Sequence, residues 1–74
     1  MTIAQLRRGQ SATIKHFDEI DVPLKLLEMG CLPGNSVKMM QSAPFQDPMY
    51  LDVNGTHLAI RRETAEKITV TLHG

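Results

Sequence analysis

The sequence predicts a mainly β protein, a small barrel of about five short strands with one short helix and one or two single helical turns. Three observations carry this. Apolar and polar residues alternate over several short stretches, most cleanly Met49 to Val53 and Ile68 to Leu72, which is the period of a half-buried strand. Turn pairs punctuate the chain at Pro33-Gly34 and Asn54-Gly55. Only Pro23 to Gly30 carries a helical signal with both a start and a stop.

In order, Thr2 can cap a single turn from Ile3 to Leu6, and Gly9 then breaks the chain ahead of a strand over Ala12 to Phe17. Ala12 and Ile14 share the inner face of that strand. The next large apolar residue is Phe17 rather than His16, a slip that reads as a bulge or bend. Asp18-Glu19-Ile20-Asp21 is a polar link. For the helix, Asp21 is the expected cap, Pro23 fits an early helical position, and Gly30 can take the left-handed conformation that ends it. Pro33-Gly34 supplies the centre of a type II turn. On a helical wheel Val22, Leu26 and Met29 lie on one side, Leu24 and Leu27 on nearly the other, and only Lys25 and Glu28 are charged. Such a helix is either fully buried or keeps a second apolar face for another contact, and in so short a chain full burial is difficult.

Beyond the turn, Val37 and Met39 alternate with Ser36 and Lys38, which leaves Met40 facing outward. Ala43 to Pro48 is a loop, because its two prolines disfavour strand pairing. Asn54-Gly55 predicts a type I′ hairpin turn between Met49 to Val53 and a return strand holding Leu58 and Ile60. Arg61 to Glu66 makes one turn around Ala65, and the Ile68 to Leu72 strand follows.

With 74 residues the expectation is one domain spanning 1–74, and a chain of this size buries only roughly 60% of its unfolded surface. Phe17, Phe45 and Tyr50 are the only aromatic residues, which argues against the aromatic-walled groove of a proline-peptide binder. Eight Lys plus Arg balance eight Asp plus Glu, so no long-range field attracts nucleic acid or an anionic membrane, and Arg7-Arg8 reads as a solvated pair. No signal-like or membrane-spanning run is present, so a soluble, unexported protein without direct membrane insertion is expected. The lone Cys31 fits a reducing cytoplasm. Unpaired strand edges leave room for a homo-oligomer.

Catalysis is not expected. Ser11, Ser36 and Ser42 lie in no nucleophile motif, the carboxylates are dispersed, and Gly30 to Gly34 lacks the lysine of a phosphate-binding loop. His16 with Asp18, His57 and His73 are the only candidate ligands for ferrous iron, and their spacings match no ligand motif, so no metal site or cofactor is assigned. Cys31 reads as a small apolar loop residue, with no basic neighbour to hold a thiolate.

Leu6, Gly9, Ala12, Ile14, Leu26, Met29, Gly30, Pro33, Gly34, Val37, Pro44, Asp47, Pro48, Gly55, Leu58, Ala59, Ile60, Arg61, Ala65, Ile68 and Val70, in this order and spacing, resemble the FeoA family over nearly the whole chain. The resemblance implies an SH3-like barrel that serves as a small cytoplasmic accessory of FeoB. That partner is a membrane ferrous iron transporter with a cytosolic GTPase domain, so the accessory would lie peripheral to the inner membrane and any GTP hydrolysis would be the partner's. It also implies that Leu26 and Met29 face the core, with Gly30, Pro33, Gly34, Gly55 and Arg61 as structural motif positions. Leu24 and Leu27, joined by Cys31 and Leu32, are then the candidate partner-binding residues. Arg61 is expected to pair with an acidic residue such as Glu28 or Asp47, or else to touch the partner. The chain departs from the family pattern at Thr64, often acidic, and at Cys31, usually a larger apolar residue. Similar modules end iron- and manganese-dependent repressors, so the alternative is a stand-alone SH3-like module that binds a peptide or ferrous ion.

Overall fold

The computed structural model describes residues 1–73. Five strands, β1 (Ser11–His16), β2 (Ser36–Ser42), β3 (Met49–Val53), β4 (Thr56–Ile60) and β5 (Thr69–Leu72), are joined by two short helices, α1 (Leu24–Glu28) and α2 (Arg62–Ala65). Single 3-10 turns occupy Ile3–Gln5 and Glu19–Asp21, and the Pro44–Gln46 segment turns through Phe45 and Gln46 at positive φ, 67 and 63. The sheet is antiparallel throughout, in the order β4-β3-β2-β1-β5, and no ladder joins β4 to β5 among the described residues. It is a barrel left open on one side. Ala12 and Ile14, Val37 and Met39, Met49, Leu51 and Val53, Leu58 and Ile60, and Val70 all enter one core, so the five strands wrap a common interior. Alternation was the signal for each of them, because successive side chains in a strand point to opposite faces.

The N-terminal turn closes one end. Ile3 is fully buried, its N–H donates to the Ile68 carbonyl at 3.0 Å, and Thr2 bridges to Thr69. The Thr2 N–H donates to Gln5 Oε1 at 2.8 Å, which satisfies an amide that the short turn itself leaves open.

Two bulges shape the sheet. The β1–β5 register shifts between Ile14 and His16, so Ile14 and Phe17 are both buried, as the slip in alternation predicted. A second shift, between Met39 and Gln41 on β2, gave no such sign, since the extra residue, Met40, is itself apolar.

The helix ends as expected and begins differently. Gly30 has φ +100, its N–H donates to the Leu27 carbonyl at 3.1 Å and the Cys31 N–H donates to Leu26 at 3.0 Å, which together form a Schellman motif. Asp21 does not cap α1. Val22 and Pro23 are extended, with ψ 122 and ψ 138, which carries Asp21 away from the first helical amides. Its carboxylate instead lies 3.5 Å from Lys67 Nζ. Pro23 sits at the cap position just outside the helix.

The Leu32 to Asn35 turn follows at once, with Gly34 at φ +93 and the Asn35 N–H donating to Leu32 at 3.1 Å, as a type II turn requires. Gly34 donates to the Ile14 carbonyl at 2.8 Å and Ile14 donates back to Asn35 at 2.9 Å, so the turn is pinned to β1. The Asn35 amide also donates to the Gly30 carbonyl at 2.7 Å, linking the end of α1 to the start of β2. Asn35→Ala is expected to lower stability by about 1 kcal/mol, read as a lower urea midpoint with an unchanged m value. An unchanged midpoint would show that water replaces the amide without cost.

Candidate functional site

The candidate surface is built around α1, a helix of 5 residues held down by one buried side chain, Leu26. At 3.6 residues per turn, Leu24 projects about 160° from Leu26 around the axis, whereas Leu27 and Met29 flank it at about 100° and 60°. The exposures follow this geometry. Leu24 is 69% exposed, while Leu27 and Met29 are half-buried against the core. Leu32, beyond the helix, is 43% exposed, and Ile20, in the turn before it, is 93% exposed.

Two of the four candidate partner-binding residues are therefore placed differently from the sequence expectation. Cys31 is fully buried. The chain reverses at Gly30, where the Schellman turn folds the next residue back and commonly seats it near the last helical turn. Burial pushes its thiol pKa above the ordinary value, since a thiolate there would lose its water. Leu27 belongs partly to the core rather than to the outer face. Leu24 and Leu32 remain available, and they are joined by Ile20, which reads as part of a polar link because three carboxylates surround it in sequence.

A groove of about 500 Å³ runs beside the helix, with Pro23, Leu26 and Met29 contributed by α1 and its flanks, Leu58 and Ile60 by β4, and Arg61 at the β4–α2 junction. Arg61 Nη1 lies 3.6 Å from Asp47 Oδ1, so its acidic neighbour is Asp47 rather than Glu28. The Arg61 side chain is 70% exposed, and a solvated pair at this distance contributes little to stability. Its guanidinium stays open to the groove. Asp47 Oδ1 also accepts the Arg62 backbone N–H at 3.2 Å, which fixes the loop to the start of α2.

The remaining motif residues are scaffold. Gly30, Pro33 and Gly34 aim the chain from α1 into β2. Gly55, at φ +85 after Asn54 at φ 50, makes the type I′ turn between β3 and β4, with its N–H donating to Asp52 Oδ1 at 2.7 Å. The histidines are dispersed. His57 Nε2 lies 3.6 Å from Asp52, and His73 Nε2 shares a 2.7 Å hydrogen bond with Thr13 Oγ1. Among the described residues no three His, Cys, Asp or Glu side chains converge as a metal-binding group, and no helix is long and apolar enough to cross a membrane.

Comparison with known proteins gives this arrangement a family. A profile of the FeoA domain matches residues 1–72. The chain is 36% identical over 73 residues to an Fe(2+) transport protein A/Fe(2+) transporter FeoB fusion protein of Porphyromonas gingivalis, covering 97% of this chain and 9% of that protein. It thus spans about a tenth of that curated relative's length. The solution structure of FeoA from Chlorobium tepidum is 32% identical with a TM-score of 0.91, over 100% of this chain and 71% of that one. Zinc-complexed FeoA from Stenotrophomonas maltophilia, a prokaryotic SH3 domain protein, is 25% identical with a TM-score of 0.77, over 95% and 88%. A profile match over nearly every residue and an open SH3-like barrel shared with FeoA structures lead to one assignment: the chain belongs to the FeoA family.

Proposed function

We propose that this protein is a non-enzymatic accessory of ferrous iron uptake that binds the cytosolic part of a FeoB-type transporter and GTPase through the outer side of α1. The observation that carries the reading is the exposure of Leu24 on a helix whose opposite side is anchored in the core, so that the leucine is presented on a rigid support. The fusion relative adds a reason to name the partner, because its name joins transport protein A and FeoB in one chain. Two modules tied in this way meet at high effective concentration, which makes even a weak contact productive. In this reading the protein works in the cytoplasm, at the inner membrane through its partner.

Burying what Leu24 and Leu32 leave exposed, about one full leucine side chain between them, would contribute on the order of 2–3 kcal/mol before the cost of association, which suits a reversible contact. Titration calorimetry with the FeoB cytosolic region tests it. The wild type is expected to bind, and Leu24→Asp combined with Leu32→Asp is expected to weaken binding by about a hundredfold or more. Both residues are exposed, so the variant should melt close to the wild type. Leu27 is left intact, because a carboxylate at that half-buried position would disturb the core and confuse the result. The reading fails if the wild type does not bind, or if a folded double variant binds equally well.

A further inference from the structure

A second groove lies away from α1, where the N-terminal segment parts from β2. The two run together only as far as Met39, whose carbonyl accepts from the Gly9 N–H at 2.8 Å and whose N–H donates to Gln10 at 2.9 Å. Past the bulge, Gln41 and Ser42 pair with Tyr50 and Met49 of β3, and no strand of the described residues pairs with their other edge. The resulting space, about 660 Å³, has the apolar residues Leu6, Met39 and Met49 in its lining, and Arg7, Arg8 and Arg62 with them.

Three of the protein's eight basic residues thus line one groove, and none of its eight acidic residues does. A net charge of zero conceals this separation. Among the described residues no carboxylate forms an ion pair with any of the three. The Arg62 guanidinium donates to Gln46 Oε1 at 3.3 Å, which orients it and leaves its other N–H groups free of protein acceptors there. The remaining polar lining, Gln5, Gln41 and Ser42, supplies both donors and acceptors, the complement of a peptide group.

We infer that this groove is a docking site for an extended, carboxylate-rich peptide segment of another protein. Carboxylates match the planar fork of arginine, and the amide side chains and the open edge of β2 match a peptide backbone, while Leu6, Met39 and Met49, at 5%, 4% and 1% exposed, belong to the core and form only the floor. A small free anion would engage only the guanidinium groups and leave the rest of the lining unmatched. The site shares no lining residue with α1 and holds whichever protein supplies the segment.

The test is chemical-shift mapping of the isotopically labelled full chain with a synthetic peptide alternating Glu and Val. A peptide with Gln in place of Glu and inorganic phosphate serve as separate arms. The Glu peptide is expected to shift the amides of Arg7, Arg8, Gln41, Ser42 and Arg62, to weaken as salt is raised, and to bind about tenfold or more tighter than the Gln peptide. Arg8→Glu, at an exposed position, and Arg62→Gln should each lower its affinity by about tenfold or more, with the spectrum elsewhere unchanged. Leu24→Asp should bind the peptide as the wild type does, which separates this groove from the α1 face. Equal binding of the two peptides, shifts confined to other surfaces, or phosphate shifting these residues while the Glu peptide does not, would each overturn the inference.

Discussion

Leu51→Ala is expected to destabilise the fold by about 2–5 kcal/mol and to lower its melting temperature by about 10 °C or more. Leu51 is 1% exposed in β3, which runs between β2 and β4. Its register partners, Met39 on β2 and Leu58 on β4, are buried as well, so truncation opens a space walled by both neighbouring strands. Met39 is flexible enough to fill part of it, which sets the lower end of the range. The effect is large relative to the whole, because proteins of this size have only about 5–15 kcal/mol to lose and small ones sit near the bottom of that range. Urea unfolding checks it, with Tyr50→Ala as the comparison. Tyr50 is the next residue but faces outward at 39% exposed, and its loss should cost about 1 kcal/mol or less. Similar losses at the two positions would mean that β3 does not divide inside from outside.

Cys31→Asp is expected to leave the protein unfolded at neutral pH. The site is fully buried, and among the described residues no buried side-chain N or O atom is left without a partner, so none is spare to pair with a carboxylate, whose desolvation costs several kcal/mol. Such a carboxyl would have its folded pKa raised, so the folded state keeps a proton that the unfolded state releases above about pH 3.9. Stability is then lost as pH rises, and the variant should fold only in acid.

The wild-type thiol obeys the same sign in a higher window. With its folded pKa raised by burial, its contribution is fully present below the unfolded value of about 8.5 and is lost as pH climbs through the folded value. The urea midpoint of the wild type should therefore fall more between neutral and alkaline pH than that of Cys31→Ala, and thiol reagents should label native Cys31 only as fast as it opens. Rapid labelling of the folded protein would place Cys31 at the surface, where the sequence expectation had put it.

Much of the fold was legible because the demands are local. Gly30, Gly34 and Gly55 occupy positive φ, a need that belongs to the residue itself, so the helix stop and both turns could be named without knowing what surrounds them. Strand alternation is equally local, and the bulge in β1 showed itself because Phe17 fell out of phase. The bulge in β2 was silent because Met39 and Met40 are both apolar. The candidate site was legible only in part. Leu24 and Leu32 are exposed as expected, but Cys31, grouped with Leu32 as an outward residue, is buried because the chain has already reversed at Gly30.

Sequence alone thus determined the β class, the turns, the short helix and the family resemblance, since each rests on conformational preferences of single residues or on a short repeat. Tertiary structure decided which apolar residues stay outside, and that Arg61 meets Asp47 while Asp21 meets Lys67. It also decided that Arg7-Arg8, read as an ordinary solvated pair, shares a groove with Arg62 from the far end of the chain. Charge and burial are properties of neighbourhoods, and neighbourhoods between distant segments exist only once the sheet has wrapped its core.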